Sequence, residues 1–185
     1  MADNQHLIET LISSKTIFTG NFLHLLEDRV RLPDGKEAVR EYIKHPGAVA
    51  IIPITATGEI VLEYQYRHPI GQVILEIPAG KLDDNEPEIV AAKRELLEET
   101  GYSATKWTRL GKISPCIGYS NEQIIYYLAE ELSLSQPCLD EGEFVEVYTM
   151  PVAQCFELAY SGQITDGKTI AGLMLYQGYL NRPMK

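Results

Sequence analysis

Apolar and polar positions follow two rhythms along this chain. Through the first half the period is close to two, the spacing of side chains on one face of a strand. Leu23 to Leu32 and Ala38 to Lys44 read as strands joined by Pro33-Asp34-Gly35, where proline presets φ and glycine supplies a positive one, so the pattern predicts an opening hairpin. His45-Pro46-Gly47 then breaks the chain, and a boundary is expected there between a β-strand region, 1–45, and a main domain, 46–185. Beyond it, Ala48 to Thr55 and Glu59 to Tyr66 flank Thr57-Gly58 as a second hairpin, and Val73 to Ile77 reads as a short apolar strand. The run Ala48 to Ile54 is apolar throughout and predicts a buried strand.

From Glu88 to Thr100 the period becomes helical, with Pro87 suited to the first turn and Gly101 to the position just past the end. Trp107 to Ser114, Gln123 to Glu130 and Phe144 to Met150 predict further strands. The tail predicts two helices, one from near Pro151 to Gly162 with Thr149 as its cap, the other opening after Asp166 and ending before Pro183.

Composition sets the scale. With 185 residues, 45% of them hydrophobic and 23% charged, the chain holds one ordinary domain and a small appendage, and disorder or a disulfide scaffold is excluded. A formal net charge of -10 disfavours nucleic acid and acidic membrane surfaces as partners. Cys116, Cys138 and Cys155 are too scattered for a Cys-x-x-Cys metal site, and an odd count leaves one thiol over, which points to a reducing, cytoplasmic setting. No run is long enough to span a membrane, and the first residues lack the basic and apolar stretches of a signal peptide. His6, His24, His45 and His68 show no metal-ligand spacing.

The helix from Glu88 carries the chemistry. On a helical wheel Glu88, Glu95, Glu98 and Glu99 share one side, while Ile89, Ala92, Leu96 and Thr100 share another. Like charges at i,i+3 and i,i+4 cost roughly 0.2–0.5 kcal/mol each, so the face is mildly self-defeating unless cations bind to it. A solvated acidic face is the competing reading.

The surrounding spacing decides between them. Gly80, five residues, Glu86, seven residues, then Arg94-Glu95-Leu96-Leu97-Glu98-Glu99-Thr100-Gly101-Tyr102 resembles the Nudix box, with every specified polar and glycine position filled and Tyr102 as the single departure, at a site usually aliphatic. The resemblance implies an α/β (α+β) fold, an α/β/α sandwich with a mixed sheet, plus an N-terminal antiparallel strand region. It implies Mg²⁺, with Mn²⁺ as a substitute, held by Glu95 and Glu99, by Glu98, which also assists catalysis, and by the Ala79 carbonyl. Hard ions of this kind take oxygen ligands, neutralise a diphosphate and make water a better nucleophile at neutral pH. Arg94 is expected to orient the carboxylates, Glu86 to shape the loop, and Gly80 and Gly101 to meet backbone demands at entry and exit.

Resemblance extends further. His45 to Val49, Gln65-Tyr66-Arg67, Leu75 to Lys81, Gly118 to Glu122 and Asp140 to Phe144 are similar to the corresponding stretches of bacterial ADP-ribose pyrophosphatases, which implies hydrolysis of ADP-ribose to AMP and ribose 5-phosphate by a homodimer. Another nucleoside diphosphate sugar such as GDP-mannose is the alternative substrate, and a non-hydrolytic ADP-ribose sensor the alternative class. Arg40, Arg67 and Glu122 become candidate substrate residues, the arginines because guanidinium groups bind phosphate bidentately. Glu141 and Glu143 match a mobile loop whose carboxylate activates the attacking water. Cys116-Ile117 stands before Gly118 where the subfamily often closes up Ser-Pro-Gly, a departure that bears on sugar or base preference.

Gly162 to Thr169 also fits the phosphate-loop expression Gly-x4-Gly-Lys-[Ser/Thr]. A true phosphate loop follows a buried strand, whereas this one follows a helical segment with only 16 residues behind it, so Gly162 and Asp166 are read as helix stop and helix cap, and Lys168 as dispensable.

Overall fold

In the computed structural model, residues 4–135, 142 and 144–182 are described. The chain divides into two units, Met1–His45 with Cys116–Glu122, and Pro46–Pro115 with Gln123–Lys185.

The first unit is an antiparallel meander of β1 (Thr10–Thr19), β2 (His24–Arg31) and β3 (Glu37–Lys44). The hairpin expected around Pro33-Asp34-Gly35 is present as β2 and β3, in register from His24 opposite Lys44 to Arg31 opposite Glu37. Strand β1 is not announced by the sequence: its apolar residues come as adjacent pairs, Leu11-Ile12 and Ile17-Phe18, which break a period of two, and in the fold all ten residues are exposed. The loop Cys116–Glu122 lies along β3, where the amide of Ile43 donates to the Tyr119 carbonyl (2.8 Å) and the amide of His45 to Asn121 Oδ1 (2.7 Å).

The second unit holds β4 (Ala48–Pro53), β5 (Glu59–Arg67), β6 (Gln72–Glu76), β7 (Ala79–Lys81), α1 (Glu88–Thr100), β8 (Tyr102–Ile113), β9 (Ile124–Leu134), β10 (Val145–Pro151), α2 (Val152–Tyr160) and α3 (Gly167–Leu180). Two sheets form, β7-β4-β9-β8 with β4 and β9 parallel, and an antiparallel β10-β5-β6. Every residue of β4 is buried because both of its faces are covered. Val49 and Ile51 pack against Ala91, Ala92 and Leu96 of α1, while Ala50 and Ile52 join Ile60 and Leu62 of β5 and Leu173 and Tyr176 of α3. Helix, mixed sheet and a further layer with helix thus form the α/β/α sandwich.

The second predicted hairpin needs correction. The turn at Thr57-Gly58 forms, with the amide of Gly58 donating to the Thr55 carbonyl (3.0 Å), but the pairing across it stops at the Thr55 amide on the Glu59 carbonyl (2.9 Å) and an isolated bridge between Ile54 and Ile60. Strands β4 and β5 then enter different sheets, since each finds longer partners, β9 and β10, elsewhere. Thr149 is likewise not a cap: it pairs with Val61 inside β10, and Pro151 occupies the N-cap of α2 without a side-chain cap. Asp166 does cap α3, accepting from the amide of Thr169 at 2.9 Å. No helix among the described residues is long and apolar enough to cross a membrane.

Candidate active site

Helix α1 sits where its apolar face dictates. Leu96, wholly buried, contributes roughly 1.5–3 kcal/mol by leaving water. The helix stops at Gly101, whose φ of 72° is the left-handed conformation glycine takes freely, and the Gly101 amide closes the last turn on the Leu97 carbonyl (2.9 Å). Docked this way, α1 carries Glu95 and Glu99, one turn apart, beside β7. Glu99 Oε2 accepts from the Ala79 amide at 3.0 Å. The Glu95 carboxyl lies so close to Gly80 that a β-carbon there would overlap it. Relative exposures of 9% for Glu95 and 5% for Glu99 rule out a solvated acidic face.

Arg94 lies among three carboxylates. Its Nε and Nη2 donate to Glu86 (3.1 and 2.9 Å), its Nη1 to Glu95 (2.8 Å) and Glu98 (3.0 Å), and Nη2 also reaches the Lys81 carbonyl (3.3 Å). The hydrogen bond to Arg94 holds the Glu86 carboxyl below its ordinary range, and that same bond is the chief cause raising Arg94. One guanidinium therefore offsets much of the repulsion expected along the helix. Glu88 leaves the group: it accepts from Arg109 of β8 (3.2 Å) and from the Tyr127 hydroxyl of β9 (3.5 Å).

A second charged cluster, absent from the sequence candidates except for Arg67, lies across β5 and β6. Glu63 and Glu76 stand directly opposite in register, 0% and 1% exposed. Like charges so placed repel, and burial deprives them of water, so cations must accompany them. Arg67 supplies one through a fork onto Glu76, Nε at 2.8 Å and Nη2 at 2.9 Å. Lys168, from the first turn of α3, supplies the other, pairing with Glu76 and with Asp166 (3.0 Å). Burial presses the Arg67 guanidinium downward, but Glu76, aided by the charges of Glu63 and Asp166, outweighs it and leaves the group raised. At Asp166 burial pushes upward, and the Lys168 charge and the Thr169 bonds overcome it, so the carboxyl is held below its ordinary range. Period-two alternation puts Glu63 and Glu76 on the face opposite Ile60 and Leu62, together with Gln65, Arg67 and Gln72, which reads as a solvent-facing side, so no local signal announced their burial.

The other sequence candidates lie elsewhere. Arg40, on β3, is engaged by Glu9 through Nε (3.1 Å) and Nη2 (2.5 Å), with Nη1 on the Val39 carbonyl (3.0 Å). Glu122 stands 3.8 Å from His45 Nε2, and its amide donates to Ser120 Oγ (3.1 Å). Both belong to the first unit. Glu141 and Glu143 lie outside the described residues.

With this geometry in hand, known proteins supply the context. A model of the NUDIX domain matches residues 44–173, which contain the whole spacing from Gly80 to Tyr102. The chain belongs to the Nudix family. A model of the nucleoside diphosphate sugar hydrolase N-terminal domain matches residues 9–43 of this Nudix protein. It is 40% identical over 173 residues to an ADP-ribose pyrophosphatase of Bacillus subtilis, covering 92% of this chain and 94% of that protein. It is also 39% identical over 171 residues to a methanol dehydrogenase activator of Bacillus methanolicus, covering 91% and 92%. A crystal structure of an ADP compounds hydrolase superposes with a TM-score of 0.84 at 24% identity, over 93% of this chain and 94% of that one, which establishes the fold.

The Nudix site suits a hard divalent cation. Among the described residues no three acidic, histidine or cysteine side chains converge as a ready-made cage. Such an ion needs only one or two carboxylates when substrate phosphates and water complete its shell, and Glu95 with Glu99 provides that pair. The overlap a β-carbon would make at Gly80 shows that the room beside Glu95 depends on the missing side chain.

Proposed function

We infer that this Nudix protein hydrolyses the diphosphate of ADP-ribose, giving AMP and ribose 5-phosphate, with Mg²⁺ as its ion and Mn²⁺ able to substitute. The observation that carries the reading is the buried Glu95–Glu99 pair against Ala79 and Gly80, two carboxylates one helical turn apart that offer a hard divalent ion its oxygen ligands. The bound ion would neutralise the diphosphate and favour attack by water. Glu95, Glu99 and the Ala79 carbonyl hold it, and Glu98 assists. Arg94 keeps Glu95 and Glu98 in place while Glu86 keeps Arg94 in place, consistent with its bidentate contact. Arg67 meets a substrate phosphate through Nη1, which lies outside its fork onto Glu76. Arg40 and Glu122 contribute to the nucleoside or sugar side, and Glu141 or Glu143 takes the proton from the attacking water.

The match of residues 9–43 to a nucleoside diphosphate sugar hydrolase segment and the 40% identity to an ADP-ribose pyrophosphatase support this substrate class. Residues 1–45 serve dimerisation and part of the substrate pocket, and residues 46–185 the chemistry. The free thiols of Cys116 and Cys155 accord with a cytoplasmic setting.

A substrate panel at equal Mg²⁺, read by product identity, tests the proposal. ADP-ribose should show a higher kcat/KM than GDP-mannose, NADH or any nucleoside triphosphate. A tenfold preference for GDP-mannose, about 1.4 kcal/mol, would reassign the substrate, and binding of ADP-ribose without turnover would make the protein a sensor.

A further inference from the structure

The phosphate-loop lookalike has a job in this fold. Its lysine is not free for a nucleotide: Lys168 is paired with Glu76 and Asp166 and is largely shielded, its side chain 14% exposed. Its threonine is fully buried, with Oγ1 donating to Asp166 (2.6 Å) and accepting from the Ile77 amide (3.0 Å). The first turn of α3 is thus fastened at two adjacent residues, Glu76 and Ile77, of the segment that runs into Ala79 and Gly80.

We propose that Lys168 is a positioning residue that acts through Glu76 on Arg67, sharing the Glu76 charge so that the arginine can turn part of its guanidinium to a substrate phosphate. The contacts give the reason. Glu76 accepts from both Arg67 and Lys168, and Lys168 also donates to Asp166. Without Lys168 the whole charge of the buried Glu76 falls on Arg67, and a phosphate at Nη1 then meets a guanidinium more fully neutralised by that carboxylate. Removing Lys168 therefore weakens substrate binding more than it slows the chemical step, and an arginine in its place, still cationic, restores the sharing. Under this proposal Lys168 is not dispensable, contrary to the expectation from the sequence.

This inference rests on the diphosphate-hydrolase reading, and two readouts separate the fates of the two. In steady-state kinetics with ADP-ribose and Mg²⁺, Lys168→Met should raise KM about tenfold with kcat within about threefold of wild type, and Lys168→Arg should recover most of the loss. In the NMR spectrum of the protein without substrate, the Arg67 Nε–H resonance, assigned by its loss in Arg67→Lys, should shift in Lys168→Met and return in Lys168→Arg. A Met variant with wild-type KM, or one whose kcat falls with its melting temperature while KM holds, overturns the proposal. If wild type does not hydrolyse ADP-ribose, the functional reading falls by itself, and an Arg67 resonance unmoved in Lys168→Met would then overturn the coupling as well.

Discussion

Glu99 shows what a single residue tells and what it withholds. Its side chain is nearly out of water yet accepts from the Ala79 amide, a bond that a glutamine carbonyl can also accept. Glu99→Gln should therefore keep the fold, gain a little helix stability as a repelling charge goes, and lose more than about tenfold in turnover at saturating Mg²⁺, a barrier rise above roughly 1.4 kcal/mol. Circular dichroism and a rate assay check both halves, and retention of more than a tenth of the rate would remove Glu99 from the metal site. Gly80→Ala is a sharper test. The three atoms nearest the added methyl all belong to the Glu95 carboxyl, the end of a flexible side chain, so Glu95 should swing aside at modest cost to stability. Activity should fall by about tenfold or more, because reacting groups displaced by an ångström lose that much and more. The sequence named both residues through the box spacing, but that Gly80 makes room for a carboxylate, beyond shaping a turn, is a fact of α1 lying beside β7.

Elements differ in how far they announce themselves. Helix α1 was legible to the residue, Glu88 to Thr100, because its period, Pro87 and Gly101 all agree and all are local. The β4–β5 pairing expected from the turn at Thr57-Gly58 does not form as a hairpin, because a good turn does not decide which strand each arm joins. The cap of α3 was legible, yet its fastening to Ile77, 92 residues earlier in sequence, was not. That cap gives a pH prediction. The Asp166 pKa is lowered from 3.8 in the folded state, so the unfolded chain binds its proton more readily. Its contribution is complete above that value and is lost as pH falls through the lowered one. Urea melts between about pH 3 and 5 should show unfolding free energy rising with pH, and Asp166→Asn should flatten the slope at the acid end. An unchanged slope would mean that Asp166 carries no such linkage.

At the scale of the whole molecule, the first unit exposes Leu11, Ile12, Ile17 and Phe18 on a strand that is solvent-facing along its length. A small sheet with so little cover needs a partner surface to be stable. Deleting residues 1–45 should abolish a dimer and raise KM for ADP-ribose, as read by sedimentation and initial rates. A truncated protein that still sediments as a dimer with normal KM would refute both roles.

Local rules were enough for some of this protein. Spacing fixed the acidic helix, its caps, the opening hairpin and the box, because turns, caps and helical faces depend on residues close in sequence. Tertiary structure decided the rest: which sheet β5 joins, that Glu88 leaves the acidic group for Arg109, and that Glu95 and Glu99 are buried against Ala79 and Gly80. It also decided that Glu63 and Glu76 meet with Arg67 and Lys168 around them. Those outcomes turn on charges brought together from distant parts of the chain and stripped of water, and the free energy of a buried charge depends on neighbours that no local window contains.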